Sequence, residues 1–233
     1  FPYVKGYLTT NDFNLVKKII KNKDIIYPES YINKLPRQPS HKEIRKKNTN
    51  SPFPLITINP NILKVVKNDL QRMSKGKKII TISLTKDKVE YQNNLQEWIK
   101  FVESLDHIKF YPLFVTDYSI DVNGVLSKYR NNFYYKATWD LQLRAAVYEL
   151  SYLNISVAHG PMELCYYNNK TKYIIFFKSK ELDYKPNIER KLSNWSLGSD
   201  LYFSTKNQKI IWEEDNFKNI SEAFNRYLKG KLK

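Results

Sequence analysis

The chain has 233 residues, 42 % of them hydrophobic, and carries 39 Lys and Arg against 23 Asp and Glu for a formal net charge of +16. That apolar content supports a folded core and excludes an intrinsically disordered chain. No run of about 18 apolar residues suggests a membrane span, and one cysteine, Cys165, makes neither a disulfide framework nor a zinc site.

The first part, to about Pro54, reads as irregular. Asn11 to Asn22 can form a short helix with Phe13, Val16, Ile19 and Ile20 on one face. A long loop or linker follows, with four prolines between Lys34 and Pro54 and a basic run from His41 to Lys47. From Asn59 the pattern becomes regular. Asn59 is a candidate N-cap, Pro60 suits the first helical position, and Gly76 lies just past the end. Lys77 to Leu84 is β-branched and reads as a buried strand. Asn93 and Asn94 then open a helix with Leu95, Trp98, Ile99, Val102 and Leu105 at helical spacing, which makes Trp98 a core residue. Lys109 to Asp117 is the next strand, weakened by Pro112, and Asn131 to Lys136 is a short candidate strand. A helix is expected over Trp139 to Leu153, a strand over Ile155 to Ala158, a helix over Pro161 to Tyr167 and a strand over Lys172 to Phe177. A last helix lies within Glu213 to Leu232.

Strands alternating with helices imply an α/β fold: a Rossmann-like, doubly wound, mostly parallel sheet. The expected organisation is an irregular N-terminal extension or reduced acceptor lobe with a basic linker over 1–58, and a Rossmann-like domain over 59–233. In such sheets ligands sit outside the carboxyl ends of the strands. Those ends supply Thr85, Lys86 and Asp117, together with the triplet His159-Gly160-Pro161.

At that triplet, Gly160 permits a tight turn and close ligand approach, and Pro161 can open a helix. The amides of Met162 and Glu163, with that of Leu164 as a further candidate, would then face a phosphate, and His159 at the rim could donate to it or act as a base. The alternative is an ordinary strand–turn–helix junction, which the carboxylate of Glu163 favours. Arg144 has two readings, a phosphate contact or an ion pair with Asp140 four residues earlier. Glu149 caps a loop or holds a ribose, and Lys86 can pair with a phosphate. There is no GxGxxG, no GxxxxGK[ST] and no GxSxG, and His41, His107 and His159 are scattered, so no metal site is expected. The absence of a Gly-rich loop counts against a methyltransferase-type enzyme. No zinc-finger spacing, Gly-Phe-rich strand or GxxG clamp points to specific nucleic-acid binding. The charge is carried by 32 Lys and 7 Arg in a chain rich in Asn, Ile and Tyr, as AT-rich coding would also produce. An anionic membrane surface or a phosphate-rich ligand are the other readings.

The stretch DLQLRAAVYELSYLNISVAHGPMEL, with TISLTK, YQNNLQEW, YPLFVTD and QKIIWEEDNFKNISEAF, resembles the nucleotide-sugar half of GT-B glycosyltransferases. It is more closely similar to a group of bacterial glycosyltransferase-like proteins with such a lobe. The resemblance runs from Lys77 to Phe224. It implies that Asp140, Arg144, Glu149, His159, Gly160, Pro161 and Met162 border a donor site. It also implies transfer from a nucleotide diphosphate sugar to a surface-glycan or similar acceptor, without a metal. Either His159 or Asp117 would be the base, and loss of Arg144 would cut turnover without unfolding the chain. Two positions depart from the pattern: Thr85 and Lys86 stand where an Arg is expected, and His159 stands where Asn is common. The 76 residues before Lys77 are too few for a complete acceptor lobe. The chain is therefore a fragment, an enzyme with a reduced lobe, or a non-catalytic module whose basic surface binds anionic polymer or membrane. The expected location is cytoplasmic, with peripheral contact at the inner membrane face.

Overall fold

Five strands hydrogen-bond side by side in the order β2-β1-β3-β4-β5, and every neighbouring pair is parallel. A computed structural model describes residues 56–85, 94–117, 124–177, 198–201 and 203–231. The helix expected at 11–22, the basic linker, Lys86 and Asn93 lie outside the described residues. The strands are β1 (Lys78–Leu84), β2 (Phe110–Thr116), β3 (Leu153–Val157), β4 (Tyr173–Phe176) and β5 (Gln208–Ile211). The helices are α1 (Pro60–Ser74), α2 (Leu95–Ser104), α3 (Lys136–Trp139), α4 (Leu141–Leu150), α5 (Glu163–Tyr166) and α6 (Phe217–Leu228).

Helix α1 begins and ends where its sequence dictates. The Asn59 side chain accepts from the Asn61 amide, Pro60 fills the first position, and the chain leaves through left-handed Lys75 and Gly76. Side-chain alternation then sorts the sheet into two buried faces. Ile80, Ile82 and Leu84 of β1 join Leu153, Ile155 and Val157 of β3 against Trp98, Phe101 and Phe224 of α2 and α6. On the other face Ile79, Leu113 and Val115 meet Val66 and Leu70 of α1 and Val147 of α4. That face also carries polar strand residues, each paired: Thr81 with Ser151 at 2.6 Å and Ser83 with the Tyr148 hydroxyl at 2.9 Å. Helices on both faces of a parallel sheet make the α/β, Rossmann-like class that the alternation predicts.

Three expectations need correction. Asn131 to Lys136 is not a strand. Gly124–Asn132 is a 3-10 segment, only Phe133 bridges to Phe114, and α3 starts at Lys136. The expected helix over 139–153 is α4 alone: Trp139 ends α3, Asp140 is extended and caps α4 by accepting from the amides of Gln142 and Leu143, and Leu153 already opens β3. The strand β5 was not anticipated at all. Pro112 is accommodated because β2 is an edge strand, where a missing N–H need break no ladder bond.

Candidate functional site

With β1 flanked by β2 on one side and β3 on the other, the chain reverses direction across the sheet at β1/β3. The carboxyl ends there form the crevice that such folds use for ligands. The structure brings Asp117, Arg144 and His159 together at this edge. Asp117 follows β2 and reaches β1 through its amide, which donates to the Leu84 carbonyl at 3.2 Å. Arg144 sits one turn into α4 with its side chain 2 % exposed. Its Nη1 donates to Asp117 Oδ1 at 3.0 Å, its Nη2 to the Thr116 carbonyl at 2.6 Å and its Nε to the Ala137 carbonyl at 2.9 Å. Arg144 thus pairs with Asp117 and not with Asp140. The Asp140 carboxylate is turned back over the first amides of α4, which keeps it from reaching down the helix.

His159 follows β3, with Nδ1 4.0 Å from Asp117 Oδ2. Its side chain is 4 % exposed, and neither ring nitrogen has a hydrogen-bond partner; Asp117 Oδ2 is equally buried and unpartnered. Burial pushes the His159 pKa down to about 4. The Asp117 charge opposes that shift and Arg144 reinforces it. The imidazole is therefore neutral at pH 7. With Arg144 and Asp117 cancelling, the cluster carries no net charge.

The turn that follows does not present the free amides expected of it. The Met162 amide donates to the His159 carbonyl at 2.9 Å, and the Glu163 amide donates to the carbonyls of Gly160 and Pro161. Residues Gly160–Met162 form a 3-10 turn, α5 is only four residues long, and the Met162 side chain is core. Gly160 has ordinary negative backbone geometry, and a Cβ added there would meet nothing within 4 Å. The fold therefore does not require glycine at this position, which leaves room above the turn. Pro161 is half-buried beside it, and Glu163 is exposed on the first turn of α5.

Thr85 is buried at the end of β1. Glu149 lies elsewhere: it accepts from Asn168 at 2.8 Å and pairs with Lys170 at 3.5 Å, in the turn that enters β4 at the amino edge of the sheet. The structure therefore separates Glu149 from the other site residues. Cys165 is fully buried, and burial raises its thiol well above the ordinary value, so it is no nucleophile. Sequence reasoning missed Asp215. It follows β5 and accepts from the Asn94 amide at 2.8 Å and the Trp98 indole at 2.7 Å, tying α2 to the same carboxyl edge. Its signal was the acidic run Glu213-Glu214-Asp215 directly before α6. Among the described residues no group of three or more His, Cys, Asp and Glu could hold a metal, and no helix is long and apolar enough to cross a membrane.

No protein-family model matches the chain, and no curated protein matches it in sequence. Among solved structures it is similar to a glycosyl transferase family 9 protein from Veillonella parvula, with a TM-score of 0.51 and 10 % identity. The match covers 82 % of this chain and 53 % of that one, so the chain spans about half the length of this neighbour. At that identity the likeness is one of fold, and the fold shared is the Rossmann-like α/β arrangement of GT-B proteins.

Proposed function

We propose that the protein is a glycosyltransferase that takes its sugar from a nucleotide diphosphate donor. The supporting observation is the fold it shares with a glycosyl transferase, combined with a buried acid–base cluster at the strand ends where such folds take ligands. In the transfer, the acceptor oxygen bonds to the anomeric carbon as the bond from that carbon to the donor phosphate oxygen breaks. The diphosphate leaves with the electron pair, and the acceptor proton passes to the enzyme. His159 and Asp117 are the groups suited to receive it. Both hold an unpartnered accepting atom, and His159, a weak base while buried, gains basicity once the site opens to its substrate. Because the ring is closed off from solvent, the reacting hydroxyl reaches it only when the segment around Gly160 shifts. The open space above Gly160 is where the donor diphosphate would approach the backbone. The acceptor on this reading is a surface glycan or similar hydroxyl-bearing polymer, and the reaction needs no metal.

A second reading, a binding module without catalysis, is favoured by one observation. The Arg144 guanidinium is spent on three protein acceptors and offers a diphosphate little. A thermal-shift titration with GDP, UDP, ADP, CMP and their sugar conjugates separates the two. A ligand at 100 times its dissociation constant stabilises the fold by about 2.7 kcal/mol. The expected result is a raised melting temperature with one nucleotide, abolished in Gly160→Asp, whose unliganded melting temperature stays at the wild-type value. No shift with any of them counts against the donor site and favours the binding-module reading.

A further inference from the structure

We propose that the amino edge of the sheet, opposite the candidate site, is a docking surface for an anionic lipid bilayer. The turns that bring each helix back to the sheet meet at this edge, and they are loaded with lysine. Lys77 and Lys109 flank the α2–β2 turn: the Lys77 ammonium donates to the His107 carbonyl at 2.7 Å, and the Lys78 amide donates to the Lys109 carbonyl at 2.9 Å. Lys78 and Lys172 both stand over the ring of Tyr152, at 4.7 and 5.7 Å from its centre. Tyr152 also packs edge-on against Tyr227 in the last turn of α6, whose exit carries Lys229 and Lys231. Among the described residues the carboxylates at this edge are Glu103, Asp106 and Glu149, and each is paired with a lysine: Glu103 with Lys128, Asp106 with Lys109 at 2.8 Å and Glu149 with Lys170 at 3.5 Å. Among the described residues the carboxyl edge holds Asp117, Asp140, Glu163, Glu213, Glu214 and Asp215, with Lys64 and Lys218 beside them.

Two aliphatic side chains project among these lysines. Ile108, at the tip of the α2–β2 turn, is 86 % exposed, and Leu228, in the last turn of α6, is 41 % exposed. Lysines around projecting aliphatic groups fit the headgroup layer of an anionic bilayer: the ammonium groups meet lipid phosphates and the aliphatic tips enter the acyl boundary. A nucleic acid would instead call for bidentate Arg and open aromatic faces on which bases stack. Here the charges are Lys, and the one central ring, Tyr152, already packs against two lysines and Tyr227. The inference does not depend on the transferase reading, but it orients that site away from the membrane.

The test is co-sedimentation of the full chain with phosphatidylcholine vesicles, with and without phosphatidylglycerol. Binding should require the anionic lipid and fall with salt. Each positive charge near the surface strengthens partitioning about fivefold, so Lys78→Glu/Lys172→Glu should weaken it at least about 25-fold. Lys64→Glu/Lys218→Glu, an equal change of net charge near the starts of α1 and α6 at the other edge, should leave partitioning close to wild type. Ile108→Ser, on a side chain with almost no contacts to lose, should weaken vesicle binding while leaving binding to single-stranded DNA unchanged. The proposal is overturned if vesicles are not bound, if the two double variants weaken binding equally, or if Ile108→Ser has no effect on vesicles.

Discussion

Arg144 is a fastening residue as much as a candidate site residue, and that changes what its removal should do. Its guanidinium joins the α3–α4 junction to the end of β2, and its side chain is 2 % exposed. Removing one partner of a buried pair leaves the other charge stranded, at a cost of about 3–5 kcal/mol. Arg144→Met should therefore destabilise the chain by that amount in urea denaturation, contrary to the expectation that the residue could be lost without harm to folding. Asp117→Asn in the same background should recover part of the loss. His159 supplies a second prediction, in pH. Its folded pKa of about 4 lies below the ordinary value of 6.5, so the fold prefers the neutral ring. The stabilisation is complete above pH 6.5 and is lost as pH falls toward 4, on the order of 3 kcal/mol in all. Melting temperature measured across that window should drop steeply in the wild type and less steeply in His159→Gln; parallel curves would contradict the assignment. The sequence marked Asp117, Arg144 and His159 singly, since each follows a strand end or opens a helix. The pairing of residues 27 apart was not legible, because it depends on β2 and β3 lying on either side of β1. The nearer Asp140 looked the better partner for Arg144 only while its capping role was unknown.

At the scale of elements, the carboxyl edge is held by small polar ties. Asp215 fixes the start of α2 to the segment before α6 by accepting from a backbone amide and from the buried Trp98 indole. Asp215→Ala leaves both donors unpaired and should cost about 3 kcal/mol in the same denaturation assay, with the Trp98 fluorescence environment altered. Elements bounded by chemical punctuation were legible in the sequence. Asn59-Pro60 and Gly76 delimit α1, and the β-branched run gives β1 almost to the residue. Elements defined by their neighbours were not. The strand β5 is four residues long, too short to show a period, and is a strand because Tyr173 to Phe176 lie alongside it. Phe133 and Tyr134 have strand composition, yet they close over the outer side of β2 through one bridge, and the chain then turns into α3.

At the scale of the whole molecule, the fold class followed from the alternation of elements, whereas the direction of the molecule's charge did not. A net charge of +16 reads in the sequence as a diffuse property. Among the described residues the sheet sorts part of it, taking Lys75, Lys77, Lys109, Lys170 and Lys172 of the helix-to-strand turns to one edge and Asp117, Asp140 and Asp215 to the other. The edge strands carry a further consequence. Along β2, Pro112 offers no N–H, Asn132 Nδ2 donates to the Pro112 carbonyl at 2.8 Å, and the Tyr134 amide donates to the Phe114 carbonyl at 3.0 Å. Along β5, Asp200 accepts the Ile210 amide at 2.9 Å and pairs with Lys209 at 2.5 Å. Among the described residues neither rim of the sheet offers a long open ladder to a foreign strand, so self-templated fibrillar assembly finds no starting edge on this sheet.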